Sequence, residues 1–230
     1  MKIKESISVI VPVYNEEDSL ARAVHDLDLY LKDNFSQYEI IIVESGSTDD
    51  TAKIADSLKC KNIRAVHQKK REGYGSGLRL GFSLAKKDLV WYYSGDMPFE
   101  ISYLRRAAEK IENFDAVIAY RTGERESLKR LIATNAYHIL ITTIFGLKVR
   151  DINFSFKLIR RELLQRMKLN SYGWFIDAEM QIEFKRNKAR ILQIPVKYDH
   201  REEGQSKVNL ISDSLNMLRE MFGYISRKYF

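Results

Sequence analysis

One cysteine, Cys60, four histidines and no long apolar run are what the chain offers, and each scarcity closes off a class of function. A single thiol cannot form an internal disulfide or a cysteine-based metal cluster, which points to a reducing compartment. The longest nearly apolar stretch, Tyr137 to Leu147, runs for 11 residues and contains two threonines. A helical membrane span needs about 20 apolar residues, so this stretch is too short. Ser8 to Tyr14 is apolar enough for a secretory signal core, but Asn15-Glu16-Glu17-Asp18 follows directly with no small-residue cleavage site. It reads as a strand. Zinc-finger spacing and helix-turn-helix signatures are also absent, so nucleic acid is not an expected partner.

Positive charge, by contrast, is plentiful and unevenly placed. The 230 residues carry a formal net charge of +7, and the segment Arg121 to Lys168 holds eleven Lys/Arg against four Asp/Glu, which is the whole excess. Such a segment suits nucleic acid, anionic lipid or a phosphorylated substrate, or is simply a solvated face. A hydrophobic content of 45% over this length supports one substantial core.

Hydrophobic periodicity supplies the architecture. Ile7–Tyr14, Tyr38–Val43, Ile63–Val66 and Leu89–Tyr93 read as strands. Between them lie a helix from Leu20 to about Asp33 with Leu20, Val24, Leu27 and Leu31 inward, a helix with Ile54 and Leu58 inward, and a helix opened by Gly73–Gly77. This alternation predicts an α/β fold with a parallel, helix-covered sheet. In such a sheet ligands bind beyond the carboxyl ends of the strands. Asp96, just past the fourth strand, therefore either faces the cleft or caps a helix running from about Pro98 to Ile111. Gly75-Ser-Gly77 lacks the third glycine of a dinucleotide fingerprint and follows the wrong strand for one, although amides at a helix start can still cradle a phosphate.

Ser8-Val-Ile-Val-Pro-Val-Tyr-Asn-Glu-Glu17, Ile42-Val-Glu-Ser-Gly-Ser-Thr-Asp49, the Gly75 loop and Ser94-Gly-Asp96 resemble the four signature segments of family 2 glycosyltransferases with the GT-A fold. Ala119-Tyr-Arg121, Phe145 to Asp151, Ser155-Phe-Lys157, Phe175 to Glu179, Ile194-Pro-Val196 and Gly204 to Val208 resemble the branch that includes dolichyl-phosphate mannose and glucose synthases. The resemblance implies a Rossmann-like GT-A domain over residues 1–207, with a mostly parallel sheet covered by helices on both faces, followed by an amphipathic C-terminal helix over 208–230. The activity it implies is inverting transfer of a hexose, mannose or glucose, from a GDP- or UDP-linked nucleotide sugar to a dolichyl or polyprenyl phosphate.

Residue by residue, the resemblance assigns Pro12, Tyr14, Glu16 and Glu44 to the base and ribose, Gly75 and Asp96 to the diphosphate, and Asp96 also to catalysis and to a Mg²⁺ or Mn²⁺ ion. The chain departs from the pattern where Ser94 replaces the usual first aspartate and Ser45 the usual second acid. One carboxylate plus substrate phosphates can still hold magnesium, so the metal site is expected to form mainly with nucleotide present. By the same resemblance Arg121, Arg130 and Thr134 surround the acceptor phosphate and Arg201 and Lys207 close from the far side. Arg130 and Thr134 are spaced to share a helix face.

A phosphate monoester is already an oxyanion near neutral pH and attacks without a general base. Accordingly none of His25, His67, His138 and His200 occupies an obvious base position, and His25 and His138 fall in helical patterns as packing or surface residues. Asp177 and Glu179 are the reserve bases should the acceptor be a saccharide hydroxyl. Ser94 and Ser45 also keep open a weakened nucleotide-sugar-binding or scaffold protein. Ile211, Leu215, Leu218, Phe222, Ile225 and Tyr229 form a helical stripe that would dock on the catalytic domain, lie on a membrane surface or meet a membrane-anchoring subunit. The expected location is cytoplasmic, peripheral at the cytoplasmic face of a membrane.

Overall fold

β1 (Ile7–Val13), β2 (Tyr38–Glu44), β3 (Ile63–His67) and β4 (Leu89–Tyr92) form the parallel half of the sheet, separated by α1 (Leu20–Asn34), α2 (Thr51–Ser57) and α3 (Tyr74–Leu84). This computed structural model describes residues 1–93, 99–123, 128–198 and 210–229, the side chains of 128–130, 132, 210–214 and 229 excepted. Strands buried on both faces read as continuous apolar runs, and that is why these four were visible in the sequence. α1 buries Leu20, Val24, Leu27 and Leu31, as its periodicity predicts. In α2 the inward set is Thr51 and Ala55, with Ile54 and Leu58 only partly buried.

The second half adds α4 (Ser102–Lys110), β5 (Ala116–Thr122), α5 (Leu128–Phe145), β6 (Lys157–Arg160), α6 (Arg161–Arg166), α7 (Ile176–Arg186), β7 (Ile191–Lys197) and α8 (Leu210–Tyr229). α4 starts at Ser102 with Ile101 in the capping position, later than the expected start near Pro98. The seven strands lie in the order β3-β2-β1-β4-β6-β5-β7. β6 runs antiparallel to both neighbours, pairing Val90 with Ile159 and Val117 with Leu158, while β5 and β7 are parallel. The sheet is thus mostly parallel, as expected.

Side-chain alternation along the strands sorts the core into two layers. Val9, Val11, Ile40, Ile42 and Trp91 pack toward α1 and α4. Ile10, Ile41, Val43, Val90 and Tyr92 pack toward α3 and α7. A third cluster joins α5, α7 and α8 through Ile141, Phe145, Phe175, Ile182, Met221 and Tyr224. α8 therefore docks on the rest of the chain through Leu218 and Ile225 of the expected stripe together with Met221 and Tyr224, whereas Leu215 and Phe222 point outward. The strand order turns at β1, with β2 on one side and β4 on the other, which is where an open α/β sheet forms its ligand crevice.

Candidate functional site

At the carboxyl ends of β1 and β2 two loops are zipped together. Asn15, in the left-handed region at φ 52, donates its backbone N–H to Ser47 Oγ and accepts from the Thr48 N–H. The Glu16 N–H reaches Thr51 Oγ1 at 2.8 Å, and Glu17 Oε2 accepts from the Asp50 N–H at 2.9 Å. Glu16 uses its own carboxylate locally, accepting from Ser19 Oγ at 2.8 Å. Tyr14 lies beneath the Arg71 guanidinium, 4.2 Å from its ring centroid.

Glu44 ends β2 and is 3% exposed. It accepts from the Ser47 N–H and faces His67 Nδ1 at 3.0 Å, while His67 Nε2 lies 2.9 Å from Asp56. Burial pushes the Glu44 carboxyl up, but the hydrogen bonds from Ser47 and His67 outweigh it and hold the group below its ordinary range. The hydrogen bonds to Asp56 and Glu44 lift His67 above its ordinary value against the opposing effect of burial. His67, although exposed, thus has both ring nitrogens engaged and acts as a clamp on Glu44.

The same edge meets the start of α3. A Cβ on Gly77 would lie 3.3 Å from Ser45 Oγ and 3.7 Å from Pro12 Cβ, so α3 begins directly against the ends of β1 and β2. Ser45 donates to Gln68 Oε1 at 2.9 Å, Gln68 Nε2 to Ser76 Oγ at 2.9 Å, and Ser76 to Glu72 Oε2 at 3.0 Å. Serine at position 45 is built into this chain of hydrogen bonds, which ends on the Glu72 carboxylate. A carboxylate there would face the Gln68 carbonyl. Gly75 is glycine because a Cβ would sit 2.7 Å from the carbonyl oxygens of both Ser171 and Gly173.

Past the end of β5 lies a pocket lined by Arg121, Thr134, Asn135, Tyr137, His138, Arg150, Asp151 and Asn153. Arg121 and Thr134, assigned together by the sequence resemblance, share this wall. Arg121 is held in a two-point ion pair with Asp151, Nε to Oδ2 at 2.7 Å and a terminal nitrogen to Oδ1 at 3.1 Å. Arg150 donates to the Tyr120 hydroxyl at 2.6 Å and pairs with no carboxylate among the described residues. The Tyr137 hydroxyl and Asn153 Oδ1 are buried there without a hydrogen-bond partner among the described residues. Burial, with the charges of Asp177 and Glu220, pushes the Tyr137 phenol well above its ordinary range, so it stays a donor. With Ile152 as its apolar wall, a pocket with spare cationic and hydroxyl donors suits an anion.

Between the two regions a buried ion pair fixes the end of β4. Lys157, 1% exposed, lies 2.5 Å from Asp177 Oδ1, and the Tyr92 hydroxyl donates to the same oxygen at 2.7 Å. Glu179 accepts the backbone N–H groups of Asn170 and Ser171. Both reserve bases are therefore buried and engaged in structure.

Asp96, with Ser94, lies outside the described residues, as do Arg201 and Lys207. Arg130 falls on α5, its side chain outside the described set. Among the described residues no group of three His, Cys, Asp or Glu could hold a metal ion. The sequence missed Arg150, Asn135, Tyr137 and Asn153, which are brought to Arg121 only by the fold. It also read His138, which lines this pocket, as packing or surface. The charge count did flag the segment, but its cations do not form one surface: Lys157 is buried on Asp177 and Arg160 donates to the carbonyls of Ile111, Glu112 and Phe114.

Comparison with known proteins adds three findings. The glycosyl transferase family 2 profile matches residues 8–168. The chain is 29% identical over 226 residues to glycosyltransferase AglD of Haloferax volcanii, covering 92% of this chain but 35% of that protein. It is 30% identical over 225 residues to the undecaprenyl-phosphate 4-deoxy-4-formamido-L-arabinose transferase of Proteus mirabilis, covering 92% of this chain and 67% of that one. Among solved structures, glucosyl-3-phosphoglycerate synthase from Mycobacterium tuberculosis with Mn²⁺, UDP and glucosyl-3-phosphoglycerate superposes with a TM-score of 0.70 at 21% identity, over 97% of this chain and 80% of that one. The same enzyme with Mg²⁺ and UDP gives 0.68 at 21% identity, over 97% of this chain and 79% of that one.

Proposed function

Because the chain belongs to glycosyl transferase family 2, we propose that it moves a hexose from a UDP- or GDP-linked sugar to a polyprenyl or dolichyl phosphate. The observation that carries this reading is the pocket of Arg121, Arg150, Thr134 and Tyr137, whose donors suit a phosphate oxyanion and whose one lining carboxylate, Asp151, is taken up by Arg121. An acceptor oxygen that is already charged attacks the anomeric carbon, the new C–O bond forms as the bond to the diphosphate breaks, and configuration inverts. Arg121, Arg130, Arg150 and Thr134, with Arg201 and Lys207, orient the acceptor, while Pro12, Tyr14, Glu16 and Glu44 hold the nucleoside. Gly75, expected to offer amides to the diphosphate, instead packs against the Ser171 and Gly173 carbonyls, with the Ser76 N–H taken by Tyr172, so its part is to seat the start of α3 at the donor end of the cleft. Asp96 would hold a Mg²⁺ or Mn²⁺ ion, which when bound offsets charge on the leaving diphosphate. A single carboxylate fits an ion that keeps several waters and takes its remaining ligands from the substrate phosphates.

We place the enzyme at the cytoplasmic face of a membrane, on the lipid itself or on an anchoring subunit. In support, Ile139 and Ile144 of α5 and Leu215 and Phe222 of α8 are exposed, Phe222 by 64%. No described helix is long and apolar enough to cross a bilayer. In this reading 1–207 is the transferase domain and α8 belongs to an appended segment, 208–230.

The deciding assay incubates the full chain with labelled UDP-glucose or GDP-mannose, undecaprenyl phosphate and Mn²⁺. Organic-extractable label is expected, lost with EDTA and lowered at least about tenfold in Asp96→Ala. Label on a saccharide acceptor instead would favour transfer to a hydroxyl. Tight nucleotide binding with no transfer from any donor would mark a binding protein.

A further inference from the structure

The C-terminal helix is fastened to the chain at an unusual place. The carboxylate of Glu220, on α8, accepts three backbone N–H groups in the turn that leads into α7: Tyr172 at 2.9 Å and Gly173 at 2.7 Å on Oε1, and Phe175 at 3.2 Å on Oε2. A carboxylate set against free amides at a helix start is in its favoured position. A second fastening joins Lys228 to Glu183 of α7 at 2.5 Å.

The opposite side of the same turn presses on α3. The Tyr172 carbonyl accepts the Ser76 N–H at 3.1 Å, and the Tyr74 and Trp174 rings stack at 4.5 Å. A Cβ on Gly73 would fall 2.4 Å from the Tyr172 oxygen, so the two backbones touch. Arg79 reaches the Asn170 carbonyl at 3.0 Å and lies over the Tyr172 ring. Beyond the turn, the first residues of α3 contact Pro12 and Ser45 at the nucleotide end of the cleft.

We propose that Glu220 is a positioning residue for the donor: by holding the 172–175 turn against the start of α3, it couples docking of the C-terminal helix to nucleotide binding. The proposal rests on the donor reading given above.

The test uses the full chain and its Glu220→Ala and Glu220→Gln variants, with the affinity of UDP and of GDP in Mn²⁺ measured by calorimetry. Glu220→Ala should weaken the nucleotide that binds by about tenfold, while the KM for undecaprenyl phosphate stays within about twofold. Glu220→Gln, whose one oxygen can keep the Tyr172 and Gly173 bonds, should lose about threefold. Hydrogen exchange at the Ser76 and Gly77 amides should quicken in Glu220→Ala. A folded Glu220→Ala with wild-type nucleotide affinity and unchanged exchange at these amides would overturn the coupling, as would an equal loss for nucleotide and acceptor. If Glu220→Ala does not fold, Gly173→Ala substitutes, since its Cβ would sit 2.9 Å from Glu220 Oε2 and push the carboxylate away without deleting it. If the wild type binds neither nucleotide, the donor reading fails, whereas the exchange data still decide whether the turn transmits from α8 to α3.

Discussion

Replacing Lys157 by methionine should unfold the protein far more readily than any surface lysine would. Its ammonium lies 2.5 Å from Asp177 Oδ1, 2.8 Å from the Phe154 carbonyl and 3.3 Å from the Tyr92 hydroxyl, all in the interior. Methionine keeps the length of the side chain, so little cavity forms, and the loss is electrostatic. Asp177, 3% exposed, would keep only the Tyr92 hydroxyl as a donor among the described residues. Removing one member of a buried pair typically costs about 3–5 kcal/mol, a large share of the roughly 5–15 kcal/mol that holds a domain folded. In a chain of this size that corresponds to a fall in Tm of roughly 10 °C. Removing both charges, as Lys157→Met with Asp177→Leu, should recover most of the loss. What remains is the Tyr92 hydroxyl without its acceptor and the Phe154 carbonyl without the Lys157 donor, about 1–3 kcal/mol each, of which adding Tyr92→Phe should relieve the first. Urea unfolding of the singles, the double and the triple forms the cycle. A single-variant cost below about 1 kcal/mol, or a double as unstable as the sum of its parts, would refute the reasoning.

Two further outcomes follow from the site. His67 has a folded-state pKa raised above 6.5, so its contribution to stability is complete below that value and fades as pH rises through the raised one. Glu44 is shifted down from 4.5, so its contribution is present above that value and fades as pH falls through the lowered one. Melting curves across pH 5–9 should therefore show an alkaline-side decline, relative to neutral pH, that is absent in His67→Gln; an identical profile would disprove the clamp. Arg150→Gln should raise the KM for polyprenyl phosphate about tenfold and leave nucleotide affinity unchanged, as for one lost charge-assisted bond. The reverse pattern would move Arg150 to the donor side.

The first four strands could be read from the sequence because strands covered on both faces are written as unbroken apolar runs, and Ser8 to Tyr14 is such a run. β6 could not. It has four residues, two of them basic, and Lys157 reads as a solvated cation until Asp177 is brought beneath it. Arg121 and Thr134 were legible only through their resemblance to a known family, since nothing in their spacing places them on one wall. Arg150, Tyr137 and Glu220 carry no local signal at all. Their partners lie far along the chain, and carboxylates that accept backbone amides leave no sequence pattern beyond an ordinary acid.

The position of β6 in the sheet has a consequence for biosynthesis. β4 is complete at Tyr92, but the strand that covers its free edge begins at Lys157. At roughly 5–20 residues per second, a ribosome leaves that edge uncovered for several seconds, with Leu89, Val90 and Trp91 ready to pair with any neighbouring nascent chain. Slowed translation between these two points should therefore lower the yield of folded protein, and chaperone demand should be concentrated in that interval.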